Sequence, residues 1–112
     1  MKRTNVITIT LRLYLMDADI INKLESIESR KKCDFIKSAM LKQISQLKNY
    51  NELPQAAIPK GTKAIKKYNF RLYEETDSDL IQFVTDTNKT RKNWINSFVR
   101  YSLEKEINEK AK

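Results

Sequence analysis

The sequence predicts a mainly α-helical protein built around a two-stranded antiparallel β-ribbon. Three observations predict it. Residues 6–14 alternate apolar and polar side chains with a period of two, the pattern of a half-buried strand. Residues 20–47 switch to the 3.6-residue period of amphipathic helices. The whole succession then returns after residue 62, so the chain carries two strand-helix-helix repeats. The boundaries are 1–48 for the first repeat, 49–62 for a linker and 63–112 for the second, with both repeats forming one compact domain.

The first strand is Val6-Ile-Thr-Ile-Thr-Leu-Arg-Leu-Tyr14. Ile7, Ile9, Leu11 and Leu13 share one face; Thr8, Thr10, Arg12 and Tyr14 share the other. Ile20, Ile21, Leu24 and Ile27 follow at one helical face, with Asp17 or Asp19 placed to cap that helix or to favour its positive end. Glu28-Ser29-Arg30 interrupts the pattern, and a second helix presents Phe35, Ile36, Ala39, Met40, Ile44 and Leu47. The linker holds Pro54, Pro59 and Gly61, which are both prolines and the only glycine of the chain.

Beyond it, Lys67 to Tyr73 alternates again, with Phe70 and Leu72 on one side and Lys67, Asn69, Arg71 and Tyr73 on the other. Thr76-Asp77-Ser78-Asp79 has the form of a capping box. Leu80, Phe83 and Val84 mark the third helix. Thr87-Asn88-Lys89 breaks it, with Asn88 suited to a left-handed turn. Thr90 is placed to cap a fourth helix bearing Trp94, Ile95, Phe98, Val99, Leu103 and Ile107, whose end from Glu104 frays. An ungapped offset of 59 residues superimposes the halves: Arg12-Leu13-Tyr14 falls on Arg71-Leu72-Tyr73, Leu24 on Phe83, Phe35-Ile36 on Trp94-Ile95, and Met40 on Val99.

Composition limits what such a chain does. Its 112 residues carry 22 Lys and Arg against 14 Asp and Glu, a net charge of +8, which favours polyanions and nucleic acid first among them. There is no histidine and a single cysteine, Cys33, so a Cys/His zinc site, a histidine-based triad and an internal disulfide are excluded. With one glycine there is no phosphate-cradling loop. No metal, cofactor or catalytic residue is expected, and the protein reads as a non-enzyme. The N-terminus lacks the apolar core of a signal peptide, no stretch is long enough to cross a membrane, and the lone cysteine suits a reducing cytoplasm.

One repeat of ~45 residues is too small to bury a stable core, and a lone strand has two open edges. Pairing the two strands antiparallel, with four helices over their apolar face, answers both problems. It leaves the other ribbon face to solvent, presenting Thr8, Thr10, Arg12, Lys67, Asn69 and Arg71. A two-stranded ribbon fits the major groove of B-DNA. There Arg bridges guanine O6 and N7, Asn bridges adenine N6 and N7, and Thr meets the thymine methyl. Residues 60–73 hold five bases and no acid, whereas residues 74–86 hold five acids and no base.

With these residues in view, the sequence resembles the ribbon-helix-helix superfamily of DNA-binding proteins (the Arc and MetJ repressor type), in a tandem form. The resemblance covers residues 5–48 and 64–108. It implies an intramolecular pseudo-dimer whose ribbon enters the major groove. Thr8, Thr10 and Arg12 match one base-reading strand; Lys67, Asn69, Arg71 and Tyr73 match the other. It also implies phosphate contacts at the start of each second helix, at Lys31-Lys32-Cys33 and at Thr90-Arg91-Lys92, where free backbone N–H groups and the helix dipole favour anions. Ser29 and Asn88 stand where the family usually has a glycine in the helix-helix turn; Lys31 replaces the usual cap, and Thr90 keeps it.

The expected partner is therefore double-stranded DNA with imperfectly palindromic sites, and the expected function is transcriptional regulation by a cytoplasmic viral, plasmid or chromosomal protein. Higher-order association on DNA is compatible with the outward helical surface. Alternatives are a plasmid conjugation accessory protein that bends DNA, or an antitoxin-like interaction protein. Each candidate residue also has a plainer role: Arg12 and Arg71 as solubilising charges, Tyr14 and Tyr73 as rim packing, Lys31, Lys32, Arg91 and Lys92 as solvated surface, and Cys33 as a small residue at a helix start.

Overall fold

The computed structural model describes residues 6–47, 63–89 and 94–110. The linker expected at 49–62 and the N-cap expected at Thr90 lie outside them. β1 spans Val6–Leu13 and β2 spans Lys66–Tyr73; α1 is Ala18–Ser26, α2 Ser29–Gln46, α3 Ser78–Asn88 and α4 Ile95–Lys110. The protein is mainly helical, with one two-stranded antiparallel sheet among the described residues. Each strand is followed by two helices, in the order expected.

The register pairs Thr8 with Arg71, Thr10 with Asn69 and Arg12 with Lys67. Thr10 and Asn69 are also the residues that the 59-residue offset makes equivalent. The centre of the ribbon therefore coincides with the centre of the repeat. Alternation does the sorting: Ile9, Leu11, Leu13, Phe70 and Leu72 are buried, while Thr8, Arg12, Lys67, Asn69 and Arg71 are exposed.

One core unites the elements. Leu11, Leu13 and Leu72 from the strands meet Leu24, Ile36, Met40, Leu80, Phe83, Phe98, Val99 and Leu103 from the four helices. Equivalent positions share it: Leu24 with Phe83, and Met40 with Val99, all essentially inaccessible to water. Burying each such side chain contributes roughly 1.5–3 kcal/mol. The halves interleave, since α4 packs on α1 and α2, and α2 also packs on α3.

Trp94 is buried just ahead of α4, in ring contact with Phe83 and Phe98 at 5.8 Å or less between centroids. Its indole N–H donates to the side-chain oxygen (Oδ1) of Asn88 at 2.7 Å. Phe35, its equivalent, is only half-buried and lies under the Lys23 ammonium.

Several local expectations are corrected. α2 begins at Ser29, two residues before Lys31, and Glu28 is its N-cap residue. The α1–α2 corner is two extended residues, Ile27 (φ −96°, ψ 141°) and Glu28 (φ −57°, ψ 141°), so no glycine-like conformation is required at Ser29. Asn88 is the last residue of α3, and Lys89 after it is right-handed (φ −69°, ψ −27°), so no left-handed turn occurs there. The side chain of Asn88 is instead engaged by Trp94. Thr76 does not open a capping box, because α3 starts at Ser78 after Asp77 and its N-cap residue makes no side-chain cap bond. The Asp77 carboxylate turns back to the strand.

Candidate nucleic-acid interface

The outward ribbon face carries three polar cross-strand rows, Thr8 with Arg71, Thr10 with Asn69 and Arg12 with Lys67, and beyond the first of them a fourth row of Val6 with Tyr73, both exposed. At ~3.4 Å per residue the four rows span about 20 Å along the strands, and two strands ~4.8 Å apart are narrow enough for the ~12 Å major groove of B-DNA. The face carries three cations and no acid. In the middle row the Thr10 hydroxyl donates to the Asn69 side-chain carbonyl at 2.8 Å. That bond fixes the amide and leaves the Asn69 N–H₂ and the Thr10 methyl for other contacts. A shallow cavity of about 290 Å³ runs along β1, lined by Thr8, Thr10, Arg12, Val84, Asn88 and Ile95 among others.

Helices hold the strands from behind. Asn96 of α4 accepts from the Arg12 backbone N–H at 2.7 Å and donates to the Arg12 carbonyl at 3.2 Å. Both polar groups of that edge residue are thereby satisfied, and the base of the Arg12 side chain is fixed.

At each strand end, a carboxylate accepts from the backbone N–H of the terminal tyrosine: Asp17 from Tyr14 at 2.9 Å, and Asp77 from Tyr73 at 2.8 Å. Each carboxylate is met by a cation from the second helix of the other repeat. Arg100 of α4 grips Asp17 with two bonds, at 2.8 and 3.0 Å. Lys37 of α2 reaches Asp77 at 2.7 Å. The same cations lie over the tyrosine rings, Arg100 at 5.0 Å from the Tyr14 centroid and Lys37 at 5.3 Å from that of Tyr73. Tyr14 and Tyr73 thus belong to these junctions, although Tyr73 keeps 40% of its surface exposed.

Burial alone would raise the Asp77 pKa and lower that of Lys37, but their mutual hydrogen bond reverses both. Aided by the Tyr73 N–H, it holds Asp77 below its ordinary 3.8, and aided by the nearby Cys33 thiol it lifts Lys37 above 10.5. Lys66, at the other end of β2, bonds Glu25 at 3.1 Å and is raised by that contact.

At the α2 start, the first-turn backbone groups belong to Ser29, Arg30 and Lys31, and the Lys31 N–H already donates to the Glu28 carbonyl at 2.8 Å. Lys31 is exposed in this turn. Lys32 and Cys33 fall in the next turn and are half-buried. The Lys32 ammonium rests over the Tyr68 ring, 5.5 Å from its centroid, and the Tyr68 hydroxyl is buried without a hydrogen-bond partner among the described residues. Thr90, Arg91 and Lys92 lie outside the described residues.

Sequence reasoning missed Lys37, Asn96 and Arg100, which occupy buried or inward helix positions. A polar residue on an apolar helix face was the available signal, and Arg100 between Val99 and Leu103 carried it most plainly.

No protein-family model, no curated protein and no solved structure matches this chain. Among the described residues, no helix is long and apolar enough to cross a membrane.

Proposed function

We propose that the protein is a sequence-specific double-stranded DNA-binding protein of the ribbon-helix-helix type, acting as a transcriptional regulator in the cytoplasm of a cell or of a viral host. In this reading the two repeats form an intramolecular pseudo-dimer, and the ribbon enters the major groove. One observation carries it. The outward face of the ribbon presents Thr, Asn, Lys and Arg in three adjacent cross-strand rows, bordered by the exposed Val6 and Tyr73, at a register centred on the repeat, over a shared helical core. This face is of one sign and holds the side chains that read base edges.

Arg12 and Arg71 take guanine in related half-sites, and Thr8, Thr10, Lys67 and Asn69 read beside them. Tyr73, tied into the Asp77 junction, borders the groove. The α2 start supplies phosphate contacts through the Ser29 and Arg30 amides and through the Lys31 and Lys32 ammonium groups; Thr90, Arg91 and Lys92 supply them for the second repeat. Chemistry on a substrate is not part of this reading.

Selection of bound sequences from random duplex DNA tests it directly. A site with two related but unequal halves is expected. Arg12→Ala and Arg71→Ala should each cost ~1–3 kcal/mol on that site and relax base preference in one half only. Selection that returns no sequence preference, or mutants that bind the selected site like the parent, would remove the ribbon from recognition.

A further inference from the structure

The ribbon face is unequal end to end, and we infer that the chain occupies its DNA site in one orientation only, set by Lys67 against Thr8. The inference rests on the DNA-binding reading of this face. Thr8 and Lys67 are equivalent under the 59-residue offset, yet they lie at opposite ends of the ribbon. Arg12 therefore faces a second cation, Lys67, across the strands, whereas Arg71 faces the neutral Thr8.

The surroundings extend this polarity. Exposed Lys63 precedes the doubly cationic end, where Lys66 is neutralised by Glu25. Exposed Glu74 and Glu75 follow the other end. Two like charges directly opposite each other destabilise a strand pair. The Arg12–Lys67 row is thus an arrangement that a close anion relieves, and the Thr8–Arg71 row is not. The central row is unlike as well: the Thr10–Asn69 bond leaves an amide donor on one strand and a methyl on the other.

Turning the chain by half a turn on its site exchanges these partners. A lysine ammonium then stands where the threonine methyl and hydroxyl belong, while the arginines fall on equivalent bases in both orientations. The arginines therefore supply affinity that is blind to direction, and the Lys67/Thr8 difference supplies the direction. One misplaced base contact corresponds to about a fivefold or greater loss of affinity, so one orientation dominates. Two identical copies of a strand could not make this distinction.

The test is directed cleavage on the selected site. An iron chelate that releases hydroxyl radicals is attached through Glu75→Cys in a Cys33→Ser background of the full chain, at the Thr8–Arg71 end. Cutting on one flank only is expected. The exchange Thr8→Lys with Lys67→Thr, which moves the second cation to the other end, should carry the cut to the opposite flank. Both positions are exposed, and near- and far-ultraviolet circular dichroism checks the fold. Equal cutting on both flanks by the parent chain overturns the single orientation, and a cut that stays in place after the exchange overturns its setting by Lys67 and Thr8; both results leave DNA recognition intact. Absence of a selectable site overturns the DNA reading itself, and the orientation with it.

Discussion

Arg100→Met should be among the most damaging single substitutions outside the apolar core. Arg100 and Asp17 are 1% and 7% exposed and meet through two hydrogen bonds. Methionine fills much of the arginine volume, so little of the loss comes from a cavity. What remains is the Asp17 carboxylate, buried, without its guanidinium, and still bound to the Tyr14 N–H. Breaking a buried pair in this way costs about 3–5 kcal/mol, against a total of ~5–15 kcal/mol for a domain of this kind. The corresponding fall in Tm is about 12 °C or more.

The diagnostic comparison is the double variant. Adding Asp17→Asn removes the stranded charge and keeps an acceptor for Tyr14, so it should recover ~1–2 kcal/mol of the loss. Urea unfolding followed by the fluorescence of Trp94, the only tryptophan and a core residue, reports both values. A single variant costing less than ~1 kcal/mol, or a double variant no more stable than the single, would refute the view that this pair locks the two repeats.

Two further outcomes follow from the same geometry. Asp77 sits below and Lys37 above their ordinary pKa values, so the stability they supply is complete between about 3.8 and 10.5. It is lost as pH falls through the depressed Asp77 value or rises through the elevated Lys37 value; urea unfolding of Asp77→Asn across acid pH should show a shallower acid loss than the parent. Binding to the selected DNA should weaken steeply with salt. About six phosphate contacts give a slope near −5 in log K against log salt by titration, and Lys31→Ala should flatten it by ~1 while weakening specific and random DNA alike.

The strands, their antiparallel pairing and most of the core were legible because period-two alternation and a 59-residue self-match are properties of the chain itself. Leu24 and Phe83, or Met40 and Val99, occupy the core for reasons that hydropathy spacing already states. The junctions were not legible. Asp17 and Asp77 read as helix-start acids, and nothing local shows that their partners lie 83 and 40 residues away. Lys37 and Arg100 occupy places that the offset does not make equivalent; their counterparts are Asn96 and Leu41. Self-comparison could not reveal them. The α2 boundary was misplaced because Glu28-Ser29-Arg30 looks like an interruption by polarity, although Ser29 and Arg30 adopt helical geometry readily when the corner before them is extended.

The two junctions also bear on what a duplicated sequence is free to become. Where one chain pairs with its twin, every substitution arrives twice, and a junction must be solved by one residue facing another in both places at once. Here the same need is met by arginine on one side and lysine on the other. A chain built from two first repeats would bring Lys37 to both junctions, and one built from two second repeats would bring Arg100 to both. Because the two junctions of this chain hold different cations on unequal positions, each can change by a single substitution with no matching change at the other, and unequal ends of the ribbon can be retained in the same way.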